Sequence, residues 1–156
     1  MDMNWLARYT LPGAFSLLPS KMDTPEARAL VLAICAEESA LKHRRQIRGP
    51  ALGIAQFERI AVTDALQHPM KRPHLLSALA EQIYTGISDI DLHSIIEHND
   101  TLALVLARLN LWPDPRPLPT ESQADAAYAY YLRVWRPGKT SPASWHANWL
   151  AAWSAA

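Results

Sequence analysis

Two adjacent carboxylates, Glu37 and Glu38, stand at the end of a long apolar segment. If that segment is a helix, its C-terminal end carries a negative dipole, which disfavours carboxylates there. Burial and a like-charged neighbour both raise a carboxyl pKa, and a carboxyl that keeps its proton near neutral pH can act as a general acid. The two side chains leave a helix about 100° apart, so spacing alone does not choose between them. The alternative is a pair of solvated acids near Lys42 and Arg45.

A second candidate segment is Ala51-Leu52-Gly53-Ile54-Ala55-Gln56-Phe57. A glycine among apolar residues lets the backbone pass close to another element or to a ligand. A glutamine in such a run must find hydrogen-bond partners if it is buried. On its own this pattern is more typical of a packed turn than of a functional site.

The remaining reactive residue types favour structural roles. His93 and His98 flank Glu97 at a spacing that matches no metal motif, so the sequence predicts no metal site and no cofactor. The single cysteine, Cys35, lies inside the apolar segment and is interpreted as a core residue.

A run of basic residues is typical of a solvated loop, although it could attract acidic groups; it comprises Lys42, His43, Arg44, Arg45 and Arg48. Three tryptophans at helical spacing predict a helix packed on the core, with sugar stacking as the alternative; they are Trp145, Trp149 and Trp153.

Composition limits the class of protein. The 156 residues fit one domain, and 49% hydrophobic content excludes a disordered chain. Fifteen basic residues balance fifteen acidic ones, which argues against nucleic acid as the main partner. No apolar run approaches the length of a membrane span, so we expect no membrane partner. The first residues, Met1 to Trp5, lack the basic start of a signal peptide, which predicts synthesis in the cytoplasm.

The pattern along the chain predicts helices and loops with almost no strands. Thr24 and Pro25 are typical of a helix start, and the helix they begin is expected to be buried and to run to about residue 41. Residues 113–119 are rich in proline and predict an extended connector. Five further helices are predicted over residues 6–18, 59–67, 74–85, 89–98 and 100–111. A capping box at residues 120–123 predicts the start of a helix that runs to 135, and a last helix is predicted from residue 141. The fold class is therefore predicted to be all-α, as a single domain over residues 1–156 with the connector before the last two helices.

The two candidate segments together resemble the soluble lytic transglycosylases and goose-type lysozymes. The resemblance is carried by Glu38-Ser39-Ala40-Leu41 and then by Ala51-Leu52-Gly53-Ile54-Ala55-Gln56-Phe57, within residues 31–57. Residues 43–46, 108–119 and 135–139 are similar to a lysozyme-like group encoded by bacteriophages and prophages, and this likeness extends over most of the chain. The resemblance implies a lysozyme-like fold.

The resemblance also implies an activity and its residues. Glu38 would be the acid that cleaves the β-1,4 bond between N-acetylmuramic acid and N-acetylglucosamine in peptidoglycan, as a lytic transglycosylase or a muramidase. The muramoyl 6-hydroxyl can attack internally; if water attacks instead, Glu58 is the first candidate for a second carboxylate and Glu37 the next. The residues implied to bind substrate are Ser39, Gln46, Gly53 and Gln56.

One segment departs from the family. The transglycosylases carry a downstream Ala-Tyr-Asn-hydrophobic-Gly segment, whereas this chain has Ala127-Tyr128-Ala129-Tyr130-Tyr131. Tyr128 and Tyr130 are candidates to face the substrate. The alternative function is a phage structural or interaction protein that keeps a lysozyme-like fold without activity. The expected partners are peptidoglycan strands and, for a virion-borne enzyme, other virion proteins; the expected site of action is the virion or the periplasm and cell wall.

Overall fold

The computed structural model describes residues 1–156 and consists of helices joined by loops. There is no strand, and the only β-type pairings are isolated bridges from Leu52 to Arg45 and to Phe57. The prediction of an all-α fold is therefore confirmed. The α-helices are α1 (Met3–Trp5), α2 (Leu11–Ser16), α3 (Pro25–Ser39), α4 (Arg59–Gln67), α5 (Arg72–Glu81), α6 (Asp89–Ile95), α7 (Asp100–Leu111), α8 (Ala124–Trp135) and α9 (Pro142–Ala155), with a π-helical turn at Leu6–Thr10 and a 3₁₀ turn at Ser20–Met22.

The largely buried helix α3 packs against α9, α7 and the π-helical turn at Leu6–Thr10. The hydroxyl of Thr24 accepts a hydrogen bond from the amide of Ala27 at 3.2 Å, and Pro25 occupies the first turn, where its missing N–H costs nothing. Every residue from Ala29 to Ala36 is buried. The helix ends at Ala40, whose left-handed φ of 50° turns the chain away. Its largest packing partner is α9, so the end of α3 that carries the two glutamates is held by the last helix.

Several boundaries follow the sequence pattern and others do not. Helices α4 and α7 have the predicted bounds, and the predicted connector over residues 113–119 precedes the last two helices. The predicted capping box is wrong in detail. Gln123 Oε1 does accept a hydrogen bond from the amide of Thr120 at 2.9 Å, but α8 begins only at Ala124, and no side chain caps its first turn.

The tryptophan stripe of α9 packs on the core. Trp145 is fully buried and stacks on Tyr131 with 4.8 Å between ring centroids, and Trp149 is 2% exposed. The stripe thus fixes α9 against α8 and α3, as the packing interpretation predicts. None of the helices has the length and apolar character that crossing a membrane requires.

Candidate active site

The chain after α3 forms an ordered loop, residues 42–58, that is fixed to α6 and α7. Arg44 forms a two-fold ion pair with Asp100 at the start of α7. Arg45 Nε lies 2.6 Å from a carboxylate oxygen of Glu97, which is 8% exposed. Two of the basic residues therefore anchor the loop, although Arg44 is the only one of the five that is not exposed.

A cleft of about 510 Å³ opens between this loop, α4 and the end of α8. Acidic, amide and aromatic side chains share its surface, and Arg136 is the one basic residue on it. The lining residues are Glu38, Gln46, Ala51, Gln56, Phe57, Glu58, Ile60, Ala61, Asp64, Asn110, Val134, Trp135, Arg136, Pro137 and Gly138.

Glu38 is the half-buried acid of the cleft. Its Oε1 accepts a hydrogen bond from the hydroxyl of Tyr131 at 2.6 Å. Burial raises the pKa of Glu38 to about 7, the Tyr131 hydrogen bond opposes this rise, and the charge of Glu37 adds to it. Burial also raises the pKa of Tyr131 well above its usual value, so its hydroxyl stays a donor. Glu38 can therefore hold a proton near neutral pH at the wall of a cleft.

Glu37 faces away from the cleft, towards α9. Its Oε1 accepts hydrogen bonds from the hydroxyls of Thr140 at 2.8 Å and Ser144 at 2.7 Å, and its Oε2 accepts one from Nδ2 of Asn148 at 2.8 Å. Three donors from the last helix and the loop before it thus hold this carboxylate. The suggestion that Glu37 could serve as a second carboxylate in the cleft is wrong, because its side chain leaves α3 on the other face.

Both predicted glutamines line the cleft. Gln56 has a positive φ of 51°, and its Nε2 donates to the carbonyl oxygens of His43 at 3.0 Å and Gly53 at 2.8 Å. Gln46 is exposed, and its Oε1 accepts from the amide of Ala51 at 3.3 Å. These side chains brace the loop on which they stand, and each contributes to the surface beside Glu38.

Ser39 and Gly53 do not line the cleft, which corrects their predicted roles in binding substrate. Ser39 is 1% exposed; its hydroxyl donates to the carbonyl of Cys35 at 2.9 Å and accepts from the amide of Leu41 at 3.2 Å. It therefore secures the end of α3. Gly53 is needed for close packing, since its φ is 77° and a Cβ there would lie 2.6 Å from the carbonyl oxygen of Ile96.

The tyrosine that reaches Glu38 is Tyr131, not Tyr128 or Tyr130. Tyr130 is 3% exposed and its hydroxyl donates to the carbonyl of Leu111 at 3.2 Å. Tyr128 packs beside Trp145 with 5.8 Å between ring centroids. Neither of them lines the cleft, where the predicted contact with substrate would place them. The buried face of α8, which Ala127 and Tyr131 share four residues apart, is the signal that could have identified Tyr131.

Two further carboxylates lie in the cleft. Glu58 is exposed just before α4 and caps no amide of that helix, so it remains free to act. Asp64 lies on α4 and forms an ion pair of 2.6 Å with Lys71, and the sequence analysis did not single it out. Either carboxylate could accept a hydrogen bond from a water molecule and orient it to attack a bound substrate.

Aromatic surface closes one side of the cleft. The Trp135 and Phe57 rings lie 5.3 Å apart between centroids, and the Trp135 indole donates to the carbonyl of Ala55 at 3.1 Å. Both rings line the cleft. Such surfaces pack well against the apolar faces of sugar rings.

Comparison with known proteins gave no match: no family model, no curated protein and no solved structure is similar to this chain.

Proposed function

We propose that the chain is a glycosidase that cleaves the β-1,4 bond between N-acetylmuramic acid and N-acetylglucosamine in peptidoglycan. One observation carries this proposal. Glu38 is a carboxylic acid whose pKa is raised to about 7, and it lies in the wall of a cleft that has room for sugar rings. A neutral carboxyl at that place can donate a proton at the pH where most carboxyls have lost theirs.

The first chemical step is proton transfer from Glu38 to the oxygen that joins the two sugars. The bond from C1 of the muramoyl unit to that oxygen breaks, the electron pair stays on the departing oxygen, and positive charge develops at C1. Glu38 is left as a carboxylate. The Tyr131 hydroxyl, 2.6 Å from Glu38 Oε1, stabilises that charged form and keeps the side chain in one orientation.

Two second steps are open to this site. The muramoyl 6-hydroxyl can attack C1 and give its proton to Glu38, which forms a 1,6-anhydro sugar. Alternatively water attacks C1 and gives its proton to the carboxylate that positions it, Glu58 or Asp64; both line the cleft. The products differ by one water molecule, so mass spectrometry of the released fragments distinguishes the two routes.

The experiment that tests the proposal is digestion of purified peptidoglycan by the wild type and by Glu38→Gln. Glutamine keeps the shape and accepts the Tyr131 hydrogen bond, but it has no proton to give. We expect release of soluble fragments to fall at least a hundredfold. Glu81→Gln makes the same change at an exposed residue at the end of α5 and should retain full activity.

A folded wild type that releases nothing from peptidoglycan would contradict the proposal. That result would favour a phage structural protein that keeps such a fold without activity. Phage origin, and action at the cell wall from a virion or during lysis, are part of the proposal and depend on the resemblance of residues 43–46, 108–119 and 135–139.

A further inference from the structure

A buried lysine lies behind the wall of the cleft. Lys71 is 6% exposed, and its Nζ contacts Asp64 Oδ2 at 2.6 Å and Asn110 Oδ1 at 3.0 Å. The three residues belong to different parts of the fold, since Asp64 lies on α4, Lys71 just before α5 and Asn110 on α7. Lys71 thus holds two side chains of the cleft next to each other.

The chemistry of lysine fixes which atoms remain for a ligand. An ammonium group only donates hydrogen bonds, so both atoms that face it must be oxygens. The amide NH₂ of Asn110 and the second carboxylate oxygen of Asp64 are therefore turned away from Lys71. Both residues line the cleft, and the Asp64 side chain is 49% exposed.

A charged acceptor beside a neutral donor matches one kind of group on a sugar. A hydroxyl both donates and accepts hydrogen bonds, so it can give its proton to Asp64 and accept one from Asn110. A carboxylate on the ligand would be repelled by Asp64. In peptidoglycan, N-acetylglucosamine has a free 3-hydroxyl, whereas the same oxygen of N-acetylmuramic acid is an ether that carries a lactyl carboxyl group.

We propose that Asp64 and Asn110, held side by side by Lys71, form a subsite that binds a hydroxyl of N-acetylglucosamine and rejects N-acetylmuramic acid. This inference rests on the proposed function and adds to it the residues that set the register of the glycan strand in the cleft. Asp64 and Asn110 are specificity residues that touch the sugar, and Lys71 is a positioning residue.

The test measures binding without turnover, by calorimetry on the Glu38→Gln protein. The ligands are chitotetraose, in which every sugar is N-acetylglucosamine, and a peptidoglycan tetrasaccharide in which the two sugars alternate. Asp64→Asn keeps an oxygen for Lys71 but removes the charged acceptor. We expect it to raise the Kd for chitotetraose roughly tenfold, as for loss of a hydrogen bond to a charged group, and to raise the Kd for the alternating tetrasaccharide by a similar factor, because that ligand can place an N-acetylglucosamine in the subsite.

A second variant guards against misfolding caused by an unpaired buried ammonium. Asp64→Asn combined with Lys71→Met removes the charged acceptor and the buried ammonium together, so neither charge is left unpaired. We expect this protein to melt close to the parent and still to lose affinity for chitotetraose. Asp23→Asn is the matched control, because Asp23 pairs with Arg28 at 2.6 Å outside the cleft; its Kd should stay within twofold of the parent.

The outcomes separate the subsite from the proposed function. A parent protein that binds neither tetrasaccharide contradicts the proposed function and the subsite with it. A parent that binds chitotetraose while both Asp64 variants bind it equally well overturns the subsite alone. Variants that bind normally but lose turnover in the presence of Glu38 would assign Asp64 to water activation, and that too overturns the subsite.

Discussion

Glu37 and Glu38 show how one step along a helix separates two carboxylates with different roles. Glu37 is met by three hydrogen-bond donors from the chain around α9, whereas Glu38 meets one hydroxyl and the cleft. The sequence identifies the pair, and the resemblance to lysozyme-like motifs predicts Glu38 as the acid. It cannot show the donors around Glu37, because Thr140, Ser144 and Asn148 come from the far end of the chain.

The raised pKa of Glu38 has a consequence for stability. The pKa is about 7 in the folded protein against an ordinary value of 4.5. Between these two values the folded state binds more protons than the unfolded chain, so the free energy of unfolding falls as the pH rises. Glu38→Gln removes this loss. The free energy of unfolding of the variant should rise relative to that of the wild type from pH 4.5 upward, and the difference should reach about 3 kcal/mol above pH 7. Urea unfolding across this pH range measures the difference. A difference that is independent of pH would contradict the raised pKa.

Tyr131 acts on the pKa of Glu38 in the direction opposite to burial. Its hydrogen bond stabilises the charged form of Glu38 and so lowers the pKa of that carboxyl. Tyr131→Phe should therefore move the alkaline limb of the pH–activity profile to higher pH. Tyr128→Phe is the control, since Tyr128 packs nearby without a hydrogen bond to Glu38 and should leave the limb unchanged. An unchanged limb in Tyr131→Phe would show that the hydrogen bond does not act on this proton.

At the scale of elements, the sequence predicts those helices whose start is chemically marked. Thr24 and Pro25 open α3 where the pattern places its start, and Ser141 caps α9 by accepting from the amide of Ser144 at 3.2 Å. The loop over residues 42–58 is different, because its shape depends on ion pairs with Asp100 at the start of α7 and with Glu97 just after α6, which are distant in sequence. Local pattern cannot specify such contacts.

Gly53 is a position of that loop at which the backbone of a neighbouring segment leaves no room for a side chain. A Cβ there would meet the carbonyl oxygen of Ile96 at 2.6 Å, and the positive φ of 77° disfavours any other residue. Gly53→Ala should lower the free energy of unfolding by about 2 to 4 kcal/mol. Gly13→Ala is the matched control, since Gly13 lies in α2 with open space around it, and alanine should be neutral or stabilising by up to about 1 kcal/mol. If urea unfolding gave the same change in free energy for both variants, the close approach of Gly53 to the carbonyl of Ile96 would be contradicted.

Glu37 joins α3 to the last helix. Glu37→Ala leaves Thr140, Ser144 and Asn148 without their acceptor and should reduce the free energy of unfolding by about 1 to 2 kcal/mol. The pH at which Glu38 titrates should fall as well, because the charge of Glu37 helps to raise it. Urea unfolding and the pH profile measure the two effects. A variant as stable as the wild type would show that the hydrogen bonds are replaced by water without loss.

At the scale of the whole molecule, the cleft is formed by segments that are far apart in sequence. Glu38 and Gln56 belong to a short motif and could be predicted from the sequence. Asp64, Asn110 and Trp135 lie on three other helices, and only the packing of those helices brings them to the same surface. This is why the sequence indicated the acid but neither the residues opposite it nor the tyrosine that holds it.

The proposed function depends most directly on the proton that Glu38 keeps near neutral pH. Carboxyl ¹³C NMR of the wild type, with Glu38→Gln to assign the resonance, follows that proton through a pH titration. We expect the Glu38 carboxyl to titrate at about pH 7, well above the ordinary value of 4.5 for a glutamate. A midpoint near 4.5 would mean that Glu38 is already ionised when it meets the sugar bridge, and it would contradict its role as the general acid.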